Sequence, residues 1–275
     1  MEWRSIVELR SSLRRARIRK LYYLCRSDRR LTAIVRDWVF FRAAGIRKVV
    51  GVRSLLRDKL THPRNLGFEG LAILRRLVRE EPGLYLDAGW SIDSRVAEPS
   101  QEVQLAVSWI NEEVKRGRSA VALATGTKWP SKAWSLQYFA ETLKVVNETH
   151  PVSIVHIGGA MDRWEEELPF PVLDMAGKLG ILDSMELMRH CHAFLGLDSG
   201  PYHLASAVNL AGVAVFSSQE FPGRWSYPCG TIEVLRSKVP CEGCALPQCP
   251  IGNLCMSTIT PSLVVPRLLA CLASG

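Results

Sequence analysis

Hydrophobic residues in the carboxy-terminal two thirds of the chain arrive as short unbroken runs separated by amphipathic stretches. Ala120–Ala124, Ala193–Leu197 and Gly212–Phe216, and Val152–Ile157 apart from Ser153 and His156, are apolar at both odd and even positions, as strands buried on two faces are. Between them, Leu136–Glu148, Asp162–Glu167, Asp183–His190 and Pro201–Val208 carry the helical spacing, with a short strand expected near Val172. A helix over Glu102–Lys115 precedes the series, Gly212–Phe216 closes its strands, and a terminal helix over Pro261–Leu272 follows. Regular alternation of this kind predicts a Rossmann-like α/β domain, a parallel sheet covered by helices.

The amino-terminal third is organised differently. Ile6–Lys20 reads as a basic amphipathic helix with Ile6, Leu9 and Leu13 on one stripe. Lys20–Cys25 and Lys48–Val52 have strand length, Arg30–Ala44 reads as a helix stopped by Gly45, and another helix is expected from about Gly67 to Arg79. Glu80–Ser100 holds Pro82, Gly83, Gly89 and Pro99 with little periodicity and reads as a linker. The expected organisation is an incomplete α/β domain with its linker over residues 1–98 and the sheet domain over residues 99–275.

Composition narrows the class. The 275 residues are 47% hydrophobic and 23% charged, which excludes disordered, collagen-like and small disulfide-scaffold chains. The longest uncharged run, Ser199–Gln219, is broken by Gly200, Pro201, His203, Asn209 and Gly212, so it suits a buried helix and strand better than a bilayer span. Met1–Lys20 is charged throughout and lacks the apolar core of a signal peptide, so a cytoplasmic location is expected. Charge is uneven: residues 1–80 hold 21 Lys+Arg against 7 Asp+Glu, whereas the remainder is mildly acidic. Such a basic module meets an anionic partner, or it is a solvated helix surface.

In a parallel sheet, ligands bind outside the carboxyl ends of the strands, so the loops after the strands carry the candidate chemistry. The first, Thr125-Gly-Thr127-Lys128-Trp-Pro-Ser-Lys132, combines small residues, hydroxyls and two cations, which suits a diphosphate or merely a polar surface loop. In the second, Gly158-Gly159 would let a ligand approach closely, and Asp162 would accept from ribose hydroxyls or cap a surface helix. The third, Asp198-Ser199-Gly200-Pro201-Tyr-His203, is the sharpest. Ser199 and Gly200 offer free N–H groups at a helix start, and Pro201 begins the helix where its missing N–H costs nothing. His203 in the first turn lines that mouth or is a core histidine. Asp198 would repel phosphate, so it suits sugar hydroxyls or a loop contact.

These motifs, taken in order, resemble glycosyltransferase family 9, the ADP-heptose:lipopolysaccharide heptosyltransferases of bacteria. The resemblance rests on the Gly126–Trp134 loop with Lys132, on Gly158-Gly159, and on Ala176-Gly177-Lys178. Asp198-Ser-Gly-Pro-x-His203-Leu-Ala follows, then Phe216, Pro222 and Arg224-Trp225, then Cys241-x2-Cys244-x4-Cys249-Pro with Cys255-Met and Ile259. Tyr22-Tyr23-Leu24, Arg36-Asp37-Trp38 and Phe40-Phe41 resemble the later part of the family's amino-terminal domain.

The resemblance implies a GT-B-like architecture and inverting transfer of a sugar, heptose above all, from a nucleotide-diphosphate donor, ADP-heptose, to a lipopolysaccharide-type acceptor. No metal cofactor is implied. Lys132 and Thr127 would meet the phosphates, the Ser199-Gly200-Pro201 turn would present N–H groups, Asp198 and His203 would line the sugar pocket, and Asp162 would sit near the ribose. The acceptor would be an anionic or lipid-linked saccharide at the inner face of the membrane, with the basic module in peripheral contact with anionic lipid. No nucleic-acid motif accompanies the basic residues. Met1–Lys20 contains no counterpart of the family's first strand and Gly-Asp loop, the source of its general base. Either Asp28, Asp37 or Asp58 replaces that base, or the chain is a fragment, or transfer is weak. The alternative reading is a non-catalytic nucleotide-sugar- or partner-binding protein. Cys241, Cys244, Cys249 and Cys255 supply four ligands suited to zinc, or stay as reduced structural thiols.

Overall fold

A computed structural model describes residues 3–26, 29–61, 69–81, 98–162, 164–227 and 230–273. The chain divides into two compact units, Met1–Trp90 with Gly223–Trp225, and Ser91–Pro222 with Ser226–Gly275.

In the first unit, α1 (Trp3–Arg15), β1 (Lys20–Tyr22), α2 (Leu31–Ala43), β2 (Lys48–Val50), α3 (Val52–Thr61) and α4 (Glu69–Glu80) follow one another. β1 and β2 pair in parallel with Lys20 opposite Lys48. Cys25, Ile34, Val52 and Leu55 form its small core. The helix α3 was not foreseen. It starts directly after Gly51, whose φ of +98° turns the chain out of β2 within one residue, and its Arg53, Arg57 and Lys59 dilute the apolar period. Most of the expected linker, residues 82–97, lies outside the described residues.

In the second unit, α5 (Gln101–Lys115) begins at Ser100, whose hydroxyl accepts from the Val103 N–H as a helix cap. β3 (Ser119–Ala124), a 3-10 turn (Pro130–Lys132), α6 (Leu136–Thr149), β4 (Val152–His156), β5 (Val172–Asp174), α7 (Ile181–Met188), β6 (Ala193–Leu197), α8 (Gly200–Ala207), β7 (Gly212–Phe216), β8 (Ile232–Arg236), α9 (Leu254–Ser257) and α10 (Pro261–Ala273) complete it. The strands form one parallel sheet in the order β5-β4-β3-β6-β7-β8. Helix α10 packs on α6, β6 and β7, while α5, α7 and α8 pack as a second group on β3 and β6. Val121, Leu123, Phe139, Leu143, Leu195 and Leu268 lie in the core between sheet and helices. Trp134 is buried edge-on to Phe139 and donates its indole N–H to Ile259 O at 2.7 Å, which fastens the loop after β3 to the segment before α10.

Two expectations are corrected. Gly212–Phe216 does not close the sheet, because β8 adds parallel to it from Gly212 opposite Ile232 to Phe216 opposite Arg236. As an edge strand β8 is only partly buried and carries Glu233 and Arg236, which masks the apolar run. The expected helix over Asp162–Glu167 is also absent. Residues 164–167 are irregular, and Trp164 and Leu168 pack on the core from non-helical backbone.

Candidate functional site

The strand order reverses between β3 and β6: the chain runs outward from β3 to β5, then returns to β6 on the other side of β3. A crevice opens at such a switch point, outside the carboxyl ends of the two strands. The loop after β3 delivers Lys132 and the loop after β6 delivers Asp198. Lys132 Nζ donates to Asp198 Oδ2 at 2.6 Å, with the two side chains 16% and 7% exposed. Asp198 immediately precedes the start of α8. Ser199 stands at the helix cap with an extended backbone and no side-chain capping bond. Its hydroxyl and its N–H both donate to Leu197 O, the N–H at 2.8 Å, so contrary to expectation the Ser199 N–H is not free and Gly200 supplies the open donor. A Cβ built on Gly200 would meet nothing within 4 Å, so the space in front of this turn is open. His203 faces the ring of Tyr227 edge-on, and burial pushes its pKa down, partly opposed by Asp198. Lys132, Asp198, Ser199, Gly200, Pro201 and His203 are therefore brought together, and the arrangement offers one cation and a helix N-terminus to an anion.

Asp162 belongs to the neighbouring end, over β3 and β4. Its carboxylate accepts from Gly159 N–H at 2.7 Å and leans across Gly126, where an added Cβ would lie 1.9 Å from Asp162 Cγ. It caps no helix, contrary to one of its two expected roles. Thr127 is half-buried in the same loop, and its hydroxyl has no partner among the described residues. At the strand ends, Thr125 Oγ1, the His156 ring and Asp174 are linked in a chain of contacts that the sequence did not single out.

The turn carrying Lys132 is held from behind by residues also missed. Ser131, buried, bonds Leu246 O at 2.6 Å and the Gln219 side chain at 2.8 Å, while its N–H donates to Pro247 O. Turned to satisfy these neighbours, the Gln219 amide accepts from Lys132 Nζ at 3.3 Å. Asn253 Nδ2 donates to Pro130 O. The cysteine-rich loop thus braces the Lys132 turn. Cys241 and Cys244 are exposed, Cys249 and Cys255 half-buried, and all four are free thiols. Burial pushes the Cys255 thiol up, reinforced by its thiol neighbours. The zinc reading finds no fit: among the described residues no three His, Cys, Asp or Glu side chains are placed to hold a metal ion.

The carboxylates considered as substitute bases are engaged. Partial burial raises the Asp37 pKa, but bonds from Arg36, Tyr23 and Arg29 outweigh it and hold the carboxyl below its usual range. Asp58 pairs with Arg79 at 2.7 Å. A carboxylate so occupied is a poor acceptor for a substrate proton. Asp28 lies outside the described residues. Among those residues, no helix is long and apolar enough to cross a membrane.

Residues 74–254 match the family model for glycosyltransferase family 9 (heptosyltransferase). The chain belongs to that family. Lipooligosaccharide heptosyltransferase 2 of Campylobacter jejuni subsp. jejuni is 23% identical over 164 residues, 56% of this chain and 52% of that protein. The chain thus spans about half the length of the curated relatives it matches. The solved structure of Escherichia coli ADP-heptose lps heptosyltransferase II superposes with a TM-score of 0.60 at 19% identity, covering 100% of this chain and 82% of that one. Escherichia coli heptosyltransferase WaaC with ADP gives a TM-score of 0.57 at 14% identity, covering 97% and 78%. These likenesses establish the family's fold, a GT-B-like α/β architecture, for this chain.

Proposed function

We propose that this family 9 chain transfers a sugar, heptose, from ADP-heptose to an anionic saccharide, with inversion at the transferred carbon. The observation that carries the reading is the Lys132–Asp198 contact at the start of α8, placed at the switch point of the sheet. In the step envisaged, an acceptor hydroxyl attacks the anomeric carbon as its bond to the diphosphate oxygen breaks. The ADP leaving group takes the electron pair, and the hydroxyl proton passes to solvent water. Lys132 and the N–H group of Gly200 stabilise the developing charge on the diphosphate, the Ser199 N–H being taken by Leu197 O. Asp198 and His203 face the sugar, Thr127 assists at the phosphates, and Asp162 meets the ribose. The two relatives whose names carry ADP-heptose or ADP support the choice of nucleotide.

Residues 99–275 serve the donor and residues 1–98 the acceptor in this reading. A cavity of about 620 Å³ lined by Arg26, Arg29 and Arg30 suits the anionic acceptor. On α2, Leu31, Val35, Trp38 and Val39 are exposed beside Arg42, a surface fit for peripheral contact with anionic membrane at the cytoplasmic face. Calorimetry with ADP, UDP and GDP, then turnover of ADP-heptose, tests the reading. ADP preference with sugar transfer is expected; no binding of any of the three overturns it, and binding without turnover leaves the donor site but removes the transferase.

A further inference from the structure

The imidazole of His156 is fully buried at the end of β4, a strand whose other residues are apolar apart from Ser153, and both ring nitrogens are engaged. Nε2 lies 3.1 Å from Thr125 Oγ1, just past the end of β3, and Nδ1 lies 2.9 Å from Asp174 Oδ1 at the end of β5. The sheet register explains the alignment. His156 is opposite Asp174 on one side and Leu123 on the other, and Thr125 follows Leu123 by two residues, on the same face. One buried ring therefore ties three neighbouring strand ends. Burying it without partners would be costly; with both satisfied it fixes their relative placement.

The chemistry of the partners sets the direction of each bond. Asp174 is held ionised: partial burial works against the charge, but the Ala176 N–H, at 3.1 Å from Oδ1, and His156 more than offset it. An ionised carboxylate only accepts, so the neutral imidazole must carry its proton on Nδ1. The opposite tautomer would set two lone pairs against each other at 2.9 Å. Nε2 is then bare and accepts from the Thr125 hydroxyl. With its proton committed inward, Thr125 Oγ1 offers only lone pairs to anything else. Beside it, Asp162 leans over Gly126, and the Asp174 side chain is 53% exposed. The ends of β3, β4 and β5 thus offer acceptors, while the cation and the free helix start lie at the ends of β3 and β6.

We propose that His156 is a positioning residue that fixes Thr125 as a hydrogen-bond acceptor, so that this end of the crevice takes the donor-rich nucleoside and refuses the diphosphate. The inference rests on the nucleotide-sugar reading of the site. Two experiments test it. Long-range proton–nitrogen NMR of the neutral His156 ring is expected to show the Nδ1-protonated tautomer; the Nε2-protonated form would overturn the proposal without touching the nucleotide reading. Calorimetry with ADP and with inorganic pyrophosphate then separates the two ends. Thr125→Val and His156→Phe are expected to weaken ADP binding about tenfold, with pyrophosphate held within about twofold, and Thr125→Ser to restore ADP. Equal loss of both ligands would mean general disruption, and unchanged ADP would mean no positioning; either result overturns the role. If the unaltered protein binds pyrophosphate but not ADP, the nucleotide reading itself fails and this role falls with it.

Discussion

Replacing Lys132 by Ala should separate two effects that the ion pair combines. With side chains 16% and 7% exposed, the pair is close to buried, and removing the ammonium leaves Asp198 without its counter-charge. That costs about 3 kcal/mol of stability, visible as a lower urea midpoint. The effect on ligand is distinct. An anionic oxygen about 4 Å from Nζ is attracted by about 1 kcal/mol in water and about 4 kcal/mol in a poorly hydrated site, and with Asp198 already sharing the ammonium the gain is about 2 kcal/mol. Loss of Lys132 should therefore weaken ADP about thirtyfold. Asp198 works against the same anion from slightly farther away, by about 1 kcal/mol. Asp198→Asn keeps a group that can accept from Lys132 but removes the charge, so it should tighten ADP about fivefold. Titration calorimetry on both single variants and the double variant, at low and moderate salt, measures each term and their coupling. Lys132→Ala binding ADP as tightly as the parent, or Asp198→Asn binding it more weakly, would refute the electrostatic account.

Further outcomes follow from the same geometry. Gly200→Ala should fold normally, since its Cβ meets nothing within 4 Å, yet lose ADP affinity about tenfold if a ligand fills that space; equal affinity would place the ligand elsewhere. Gly126→Ala should displace the Asp162 carboxylate, lowering ADP affinity with little change in thermal midpoint, checked by calorimetry and melting. Burial lowers the pKa of His203 and of His192 below the ordinary 6.5, so the unfolded chain binds these protons first. Their stabilising contribution is complete above pH 6.5 and is lost as pH falls through the folded values; His203→Gln and His192→Gln should flatten the stability profile below pH 6.5, measured by urea melts.

The unbroken apolar runs of β3, β6 and β7 made the second unit legible, because strands buried on both faces leave no room for polar interruption. β8 escaped because an edge strand need not be apolar, and α3 because a single glycine separates it from β2. Lys132 and Asp198 could be named from loop position, since chemistry collects after strand ends, but their direct bond could not: pairing depends on which strands are neighbours, and β3 and β6 are separated by the whole of α6, β4, β5 and α7. Asp162 was placed in a helix because its neighbours are charged and alternate weakly, whereas the turn closed by Gly159 governs it. Gln219 and His156 gave one faint signal each. Both are polar residues close to the ends of largely apolar runs, where burial demands specific partners.

The brace behind Lys132 has a consequence for how the protein matures. Hydrogen bonds from Ser131 and to Pro130 reach residues 115 and 123 positions further along the chain. When the ribosome has delivered only the strands through β7, Lys132 can already meet Asp198, but its turn still lacks the bonds to Leu246 and from Asn253. Ligand competence therefore arises late in synthesis, once the most remote segments have docked, and recognition becomes a readout of complete folding. An early-terminated polypeptide retaining most of the sheet would be expected to remain unable to capture nucleotide.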